Sequence, residues 1–502
     1  MKSRAWMWMT VVYLFAALAM PVWTAAQDNP SPDNHHRHHQ YRLIDIGTFG
    51  GPTSYNFSEN AQPMNSRGIV TGQADTSIPD PNYPNFNPLV LVSPDPFLQH
   101  AFSWSHGVLV DLGALPGQNS SVSDWINGSG VVAGASTTGS IDPFTGWPAA
   151  EAVIWKNGRI IGLGDLGGHE SIALVVNDRE EAGGFADNTI PDPFSLFGFP
   201  TQTRAFVWTR GVMRDIGTLG GPDAAGGDIS NYGMVGISYT NSTPNPTTGI
   251  PTVDPFLWKN GEMIDLGTLG GNLGNPEWIN NRGQVVGRSN LAGDLIAHPF
   301  LWDDGVLKDL GTLGGDNGVT FFINEAGAAV GETDLAGNAA HHAFLWKRGV
   351  MSDLGTVGGD PCSNGTHINA QEQIIGTSTN CHGVVLHTFL WENGEMVDLN
   401  SLVSPPSDAK LVDPSYINDR GQITGNAILP NGDEHAVVLI PEGDCDSDCE
   451  GRIAASQNNA VPTQNAATRK QGSESPLSPA ERFRSQMRQR YHLSGQPAAP
   501  RD

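Results

Sequence analysis

Residues 342–359 read HAFLWKRGVMSDLGTVGG, and versions of this stretch recur eight times along the chain. The stretch holds two signatures, His-Ala-Phe-Leu-Trp with Gly three residues later, and Asp-Leu-Gly-x-Leu-Gly-Gly. A third signature, Ile-Asn-x-x-Gly-x-Val-x-Gly, lies between successive copies. Short apolar and β-branched runs bounded by Gly and Asn are typical of strands joined by tight turns. The stretch therefore predicts an all-β repeat protein.

The spacing of the copies gives the period of the repeat. The signatures are marked by an Asp, an Asn and a Trp: Asp45, Asp111, Gly162 in the Asp place of one copy, Asp215, Asp265, Asp309, Asp353 and Asp398; Asn65, Asn127, Asn177, Asn280, Asn324, Asn369 and Asn418; Trp104, Trp155, Trp208, Trp258, Trp302, Trp346 and Trp391. Successive Asp positions, counting Gly162, lie 66, 51, 53, 50, 44, 44 and 45 residues apart. A period near 45 with short strands is what a four-stranded propeller blade needs.

The order of the signatures at the two ends predicts how the repeat closes. The repeat begins with a fourth-strand signature at Tyr41–Gly47 and ends after a third-strand signature at His435–Ile440. Pairing the first strand with the last would complete the last blade and remove an exposed edge. We therefore predict a closed β-propeller of eight four-stranded blades, or seven if the diverged copy near Val176 or Ile229 merges with a neighbour. The alternative is an open β-solenoid or other repeat array.

Composition limits the class of partner. The chain has 61 Gly and 35 Pro, only 16% charged residues, and 52 acidic against 27 basic side chains, for a net charge of -25. Residues 41–443 hold 43 of the acids and 16 of the bases, so this region alone carries about -27. Because phosphate neutralisation needs a basic face, the composition argues against a nucleic-acid partner.

The amino-terminal residues predict export. Lys2 and Arg4 precede an apolar run from Ala5 to Trp23 and a small-residue cleavage site, so residues 1–26 are interpreted as a secretory signal. An uncleaved membrane anchor is the alternative. Residues 27–40 form a polar linker with a His cluster, which we interpret as a solvated tract rather than a metal site. The mature chain is expected to be secreted or at the cell surface, with no membrane span.

The carboxyl-terminal residues 444–502 differ from the repeat. They are rich in Gln, Asn, Ser, Pro and Arg without apolar periodicity, which predicts a disordered low-complexity tail. Within it, Pro479–Leu493 could form one short basic helix that touches an acidic partner or surface, although a solvated tail is the simpler interpretation.

The repeat at residues 342–359 resembles the bacterial extracellular HAF-repeat family, which takes its name from the tripeptide His-Ala-Phe. The resemblance covers about 400 of the 502 residues. It implies secretion and a repeat architecture, and it implies no established activity or catalytic residue. The chain departs from the family pattern at Glu151, Arg204 and Asp254, which stand in the His place. These departures argue against a function that needs every His of the repeat.

Conspicuous polar residues of the repeat are expected to be structural. Third strands begin with His100, His298, His342, His387 and His435. Blades radiate, so these side chains should diverge and hold hydrogen bonds rather than one metal. The repeated Asn residues are expected to make local side-chain to backbone turns. The sequence has no nucleophile elbow, zinc-protease motif, phosphate loop or complete calcium loop. We therefore predict no catalytic residues, no metal and no cofactor.

Four cysteines in a secreted chain suggest two disulfides. Cys362 and Cys381 lie at symmetric positions around one predicted hairpin, six residues before Ile368 and five after Gly376. Both should therefore stand at its open end and pair. Cys445 and Cys449 would then pair locally just beyond the repeat.

Loop length is the informative asymmetry. From the last Gly of the Asn signature to the His position, the copies have 27, 16, 19, 17, 10, 10, 10 and 9 residues. The longer loops are rich in aromatic residues: Tyr83, Phe86, Phe97, Phe144, Trp147, Phe194, Phe197 and Phe199. Exposed aromatics on a rigid scaffold are typical of a recognition surface for a protein or glycan. The alternative is that the loops pack on each other as a lid.

Three functional hypotheses follow. The first is a non-enzymatic binding scaffold that recognises an extracellular protein or glycan through the long-loop face. The second is an extracellular carbohydrate-active enzyme, a lyase or hydrolase with its site in the propeller channel. The third is a structural surface component that associates with itself.

Overall fold

The computed structural model describes residues 38–57, 61–442, 484–485 and 487. The strands of this part run, in chain order, β1 (Tyr41–Asp45), β2 (Gly50–Tyr55), β3 (Val70–Pro79), β4 (Phe97–Ser105), β5 (Val108–Asp111), β6 (Ser121–Ile126), β7 (Val132–Ile141), β8 (Pro148–Lys156), β9 (Arg159–Gly162), β10 (Ser171–Val176), β11 (Ala182–Pro191), β12 (Thr201–Thr209), β13 (Val212–Asp215), β14 (Ala224–Ile229), β15 (Met234–Tyr239), β16 (Val253–Lys259), β17 (Glu262–Asp265), β18 (Gly270–Ile279), β19 (Val285–Leu291), β20 (Ala297–Asp303), β21 (Val306–Asp309), β22 (Gly314–Ile323), β23 (Ala329–Leu335), β24 (His341–Lys347), β25 (Val350–Gly355), β26 (Cys362–Ile368), β27 (Ile374–Thr379), β28 (Val385–Glu392), β29 (Glu395–Asp398), β30 (Lys410–Ile417), β31 (Ile423–Ile428) and β32 (Glu434–Pro441). A short 3-10 helix at Leu399–Leu402 interrupts them.

The strands form a propeller-like repeat of four-stranded antiparallel sheets, as the period predicts. We call these sheets unit 1 (β2–β5), unit 2 (β6–β9), unit 3 (β10–β13), unit 4 (β14–β17), unit 5 (β18–β21), unit 6 (β22–β25), unit 7 (β26–β29) and unit 8 (β30–β32 with β1). Units 4 and 5 are joined into one larger sheet by a single parallel bridge between Val253 and Leu273. The diverged copies near Val176 and Ile229 thus each have a four-stranded unit of their own.

Unit 8 is made from both ends of the repeat. The first strand β1 pairs antiparallel with β32, and Leu43 stands opposite Leu439. The pairing places Tyr41 in a buried apolar cluster of unit 8. The predicted pairing of the first and last strands is therefore present.

The Asn of each hairpin turn holds both its own turn and the next unit. Asn324 shows the pattern, since its Oδ1 accepts hydrogen bonds from the backbone N–H groups of Ala326 and Ala328. Its Nδ2 donates to the carbonyl oxygen of Asn369 in the next unit at 3.0 Å. The cross-unit bonds are Asn65 to Asn127, Asn127 to Asn177, Asn177 to Ser230, Asn280 to Asn324, Asn324 to Asn369, Asn369 to Asn418 and Asn418 to Asn65. We call this set the asparagine ladder.

One junction uses a different group. Unit 4 carries Ser230 in the Asn place, and there the Asp228 carboxylate accepts a hydrogen bond from the Ile279 N–H at 2.6 Å. Each consecutive pair of units, including unit 8 with unit 1, is therefore bridged by a side chain of the first strand or its turn.

The Gly that ends the Asn signature is required by a close backbone approach. In unit 6, a Cβ on Gly331 would lie 2.0 Å from the Val319 carbonyl oxygen. The pairing register shifts at this point, between Thr320 and Phe322, so the first strand bulges toward the second. The Gly that follows the Asn-x-x turn residues serves a different need, because Gly283 and Gly327 adopt positive φ.

The His-Ala-Phe signature has a buried half and a surface half. Ala343 and Phe344 are fully buried, as are their counterparts in most units. The His pairs across the sheet with the Asp of the same unit: His342 Nδ1 lies 2.9 Å from the Asp353 carboxylate, and His100 with Asp111, His298 with Asp309 and His435 with Asp45 repeat the contact. His387 differs, because its Nδ1 lies 2.7 Å from Asp360, in the connection before β26. The repeated histidines are thus hydrogen-bonding residues, and four of the five pair with the Asp of their own unit.

Where the His is replaced, the contact at this position differs from unit to unit. Arg204 forms a bidentate pair with Asp215, which preserves the contact. Glu151 faces Gly162, the position that lacks Asp, and accepts a hydrogen bond from Gly164 N–H. A Cβ at Gly162 would lie 2.3 Å from Glu151 Oε1, so the two departures fit each other.

The disulfide between Cys362 and Cys381 is confirmed. It joins the ends of β26 and the loop after β27, at the open end of the hairpin. Cys445 and Cys449 lie outside the described residues, as do the signal segment 1–26 and most of the linker 27–40. At the end of that linker, His38 and His39 both contact the Glu392 carboxylate, at 3.2 and 3.0 Å, while the His39 side chain stays 56% exposed.

Candidate functional site

The two faces of the units differ. The asparagine turns lie at one end of the strands, and the connections between second and third strands lie at the other, together with the connections between units. We call the second end the loop face. Four long connections occur there, and we call them the cap: residues 80–96, 142–147, 192–200 and 240–252.

The cap loops form hydrogen bonds with the units that follow them. Asn85 Nδ2 donates to the Gly146 carbonyl, and Asn87 Nδ2 donates to the Pro148 carbonyl at 2.8 Å. The third loop reaches unit 4, where Tyr239 Oη donates to the Phe194 carbonyl at 2.6 Å. The cap is therefore one continuous layer over units 1–4.

The cap aromatics are divided between the interior and the surface. Phe86, Phe197 and Phe199 are buried, which differs from the expectation that they are exposed. Large apolar rings gain most free energy by burial. Here strand β11 supplies Phe185, whose ring lies 4.7 Å from that of Phe197, and the neighbouring loop supplies Trp147, whose ring lies 6.2 Å from that of Phe199. To this extent the loops pack as a lid. Phe97, Trp147 and Phe194 are partly buried. Tyr83 and Phe144 are 54% and 47% exposed and remain available to a partner.

Side chains of the first strands meet at the centre. Trp125 of unit 2 stacks on Trp278 of unit 5 at 5.3 Å, and Phe322, His367 and Tyr416 continue the cluster. Burial lowers the pKa of His367 to about 3, so this imidazole is neutral at pH 7. A cavity of about 270 Å³ lies between this cluster and the asparagine turns. The aromatic cluster fills the centre at this level, where a channel site would lie.

A larger cleft lies on the loop face where the cap ends. Its volume is about 590 Å³. Thr247 and Thr248 of the last cap loop form one wall, and units 5 and 6 form the remainder, where the connections are short. We call it the loop-face cleft, and the polar side chains that line it are Asn275, Arg288, Asn290, Asp294, Asn317, Glu332, Asp334 and His341.

Three ionisable groups meet in the cleft. His341 Nε2 lies 3.7 Å from Glu332 Oε2, and their side chains are 27% and 29% exposed. Burial raises the pKa of Glu332 to about 7, while Arg288 opposes that rise and Asp334 adds to it. Burial also lowers the pKa of His341. Burial therefore favours the protonated form of Glu332, and a protonated carboxyl can donate as well as accept a hydrogen bond.

Other carboxylates shape the cleft rather than face it freely. Asp294 accepts hydrogen bonds from the backbone N–H and side-chain amide of Asn272, both at 2.6 Å. Asp334 holds Asn317 in the same way, at 3.1 Å. These bonds fix the two short loops that form the rim.

The residue after the Gly of the Asn signature is ionisable in units 5 and 6, where it is Arg288 and Glu332. In units 2, 3 and 4, under the cap, this residue is apolar and buried: Ala135, Phe185 and Ile237. Units 1, 7 and 8 have an uncharged polar residue there: Gln73, Thr377 and Asn426. The sequence analysis missed this position. A comparison of that single position across the eight copies would have found that two neighbouring units carry ionisable residues.

The described part of the tail reaches the same cleft. Arg484, Ser485 and Met487 are helical, and they lie within the segment Pro479–Leu493. Met487 is fully buried and lines the loop-face cleft.

Two further properties concern the described residues only. Nowhere in them do three His, Cys, Asp or Glu side chains come together as metal ligands would. Among the described residues, no helix is both long enough and apolar enough to cross a membrane.

The chain matches no protein-family model and no curated protein. Among solved structures, it is similar to dipeptidyl peptidase 4 from Porphyromonas gingivalis, with 7% identity and a TM-score of 0.42 over 66% of this chain and 54% of that one. It therefore spans about half the length of that peptidase. It is also similar to TolB from Acinetobacter baumannii, with 10% identity and a TM-score of 0.30 over 74% of this chain and 80% of that one. XC5397 from Xanthomonas campestris, described as a gluconolactonase, has 8% identity and a TM-score of 0.25 over 62% of this chain and 89% of that one. At these scores we draw no functional argument from the similarities.

Proposed function

We propose that the protein is a secreted, non-enzymatic binding protein built as a closed eight-bladed β-propeller, which recognises an extracellular glycan or protein on its loop face. The proposal includes membership of the HAF-repeat family and export by the signal in residues 1–26. Closure is supported by the pairing of β1 with β32 and by the bond from Asn418 to Asn65, which links unit 8 to unit 1.

The observation that carries the binding proposal is the boundary on the loop face between the units that the cap covers and the units that it leaves open. The cap covers units 1–4 with buried aromatics and ends at a cleft of about 590 Å³ lined by amide, carboxyl, guanidinium and imidazole groups. Concave sites of this volume suit a small ligand or a short segment of a polymer. The mixture of amides with Arg288 and Glu332 suits the hydroxyl and carbonyl groups of a glycan, which need both donors and acceptors.

A binding array tests this proposal. The full chain is applied to immobilised glycans and surface proteins, beside Arg288→Ala and the double variant Tyr83→Ala with Phe144→Ala. The matched control is Val306→Ala, because Val306 is 65% exposed but lies on an outer strand away from the cleft. We expect capture that Arg288→Ala weakens and the control preserves. Capture that every variant retains would move the site elsewhere.

A carbohydrate-active enzyme is the second candidate, and a specific observation favours it. Glu332, with a pKa near 7, lies beside His341 and within the electrostatic reach of Arg288. A group that titrates near the working pH is suited to general acid–base catalysis, and a guanidinium can stabilise a developing oxyanion. The site would then be the loop-face cleft rather than the centre. Product release from a glycan panel that Glu332→Gln abolishes would establish an enzyme. Equal binding by Glu332→Gln without any product would support the binding protein.

A further inference from the structure

Met487 is buried although it lies in the C-terminal tail, far along the chain from the repeat. It lies 45 residues beyond Glu442, the last residue that the structure describes in the repeat, yet its side chain has no exposed surface. It belongs to the main apolar cluster of the repeat and lines the loop-face cleft beside Thr248 and Leu273. Ser485, on the same helix, is exposed. The helix therefore has a seated side and a solvent side.

Charge complements this apolar contact. The segment 479–493 contains Arg482, Arg484, Arg488 and Arg490 and one acid, Glu481. The Arg484 Nε atom is buried and has no hydrogen-bond partner among the described residues. The guanidinium acts electrostatically on Tyr239, as do the carboxylates of Asp192 and Asp223. Arg484 thus lies near carboxylates of the acidic repeat at the edge of the cap.

We propose that the C-terminal segment around Met487 is a tethered ligand of the loop-face cleft, anchored by the Met487 side chain and steered by its arginines. A connection of 41 residues joins Glu442 to Arg484. A tether of this kind raises the local concentration of the segment to roughly the millimolar range, so that even a weak contact is occupied. An external ligand of the cleft must displace the segment. This last consequence rests on the proposed function, whereas the seating of the segment does not.

The experiment measures binding of a fluorescent peptide of residues 479–493 to the full chain by anisotropy, with no external ligand present. Three proteins are compared: the wild type, Met487→Glu and Ser485→Glu. The second variant adds the same charge to the exposed side of the same helix. In Met487→Glu the tethered copy should leave the cleft, so the peptide should bind it at least about tenfold more tightly than it binds the other two proteins. A peptide that itself carries Met487→Glu should bind none of them.

Equal peptide binding to all three proteins, or no binding to any, would overturn the proposal. Hydrogen exchange gives an independent measure and uses the milder variant Met487→Ala as well. The backbone N–H groups of Thr247–Thr248 and Leu273–Asn275 should exchange faster in both Met487 variants than in Ser485→Glu. Unchanged exchange would also contradict the seating of the helix. Because neither assay contains a glycan or partner protein, failure here is distinct from failure of the proposed function.

Discussion

The asparagine ladder supports the proposed closure of the ring, and replacement of Asn by Asp tests one link at a time. Asn418 donates from Nδ2 to the Asn65 carbonyl at 3.3 Å, which joins unit 8 to unit 1. Its Oδ1 accepts from the N–H groups of Arg420 and Gln422, both at 3.0 Å. Asp keeps these acceptor bonds and the turn, but it removes the donor. Asn418→Asp therefore cuts the link between the ends, and within the turn it removes one bond, from Nδ2 to Gln422 Oε1 at 2.9 Å.

The magnitude follows from what is lost. One hydrogen bond is worth about 1 kcal/mol net, and a buried carbonyl left without a partner costs about 1–3 kcal/mol more. The expected loss in the free energy of unfolding is thus about 2–4 kcal/mol. For a repeat of 41–443, the entropy of unfolding makes each kcal/mol worth about 1.2 °C in Tm, so Tm should fall by roughly 2–5 °C.

The assay is thermal unfolding followed by tryptophan fluorescence at low salt. Asn369→Asp removes the same two donor bonds at an internal junction, to the Asn418 carbonyl and to Gln373 Oε1, and its Tm should fall by a similar amount. Asn393→Asp is the control, because Asn393 is an exposed turn residue with positive φ. If Asn418→Asp behaved like this control while Asn369→Asp lost several degrees, the ends would not be joined and the closed ring would be refuted.

Three other predictions concern the disulfide, the close glycines and the buried carboxylates. Cys362→Ser, or reduction of the wild type, should lower the free energy of unfolding by about 3 kcal/mol, because the bond joins residues with a separation of 19. Denaturant unfolding with and without reductant measures this change. An unchanged midpoint would mean that the bond does not restrict the unfolded chain. Gly331→Ala should lower the free energy of unfolding by about 3 kcal/mol or more, since its Cβ would lie 2.0 Å from a carbonyl oxygen. Gly305→Ala should lower it by only about 1 kcal/mol, because Gly305 has a positive φ but open space around it. Equal losses of stability in the two variants would contradict the close approach at Gly331. Burial raises the pKa of Asp124 to about 7, above its unfolded value of 3.8, so the folded protein binds the proton more tightly and stability should rise as pH falls from about 8 toward 5. Asp124→Asn should raise Tm more at pH 8 than at pH 5, and the reverse order would show that the carboxylate is stabilised in its ionised form.

Much of the fold could be predicted because the repeat states it eight times. The period, the strand signatures and the turn chemistry determine the four-stranded units, and the order of the signatures determines that β1 pairs with β32. The disulfide was predictable because Cys362 and Cys381 flank one hairpin symmetrically. Even the departures of the repeat carry information, since Glu151 and Gly162 differ from the pattern together.

The site was predicted less well, for two physical reasons. Burial of Phe86, Phe197 and Phe199 depends on which loops meet, and a single sequence gives no distance between the cap loops and the neighbouring units. The cleft also lies at the boundary between the long loops of units 1–4 and the short loops of units 5 and 6. The loop lengths predicted the asymmetry of the loop face. They pointed to the aromatic residues of the long loops, whereas the cleft residues Arg288 and Glu332 lie where the long loops end.

Contact with a ligand at the loop-face cleft is the central claim, and hydrogen exchange on the full chain with a captured ligand tests it most directly. The account predicts slower exchange at Arg288 and at Glu332–Asp334, on the polar wall of the cleft, when ligand is added. Exchange at the asparagine turns, such as Asn127–Gly130 on the opposite end of the strands, should not change. Protection confined to those turns, with none at the cleft, would contradict it.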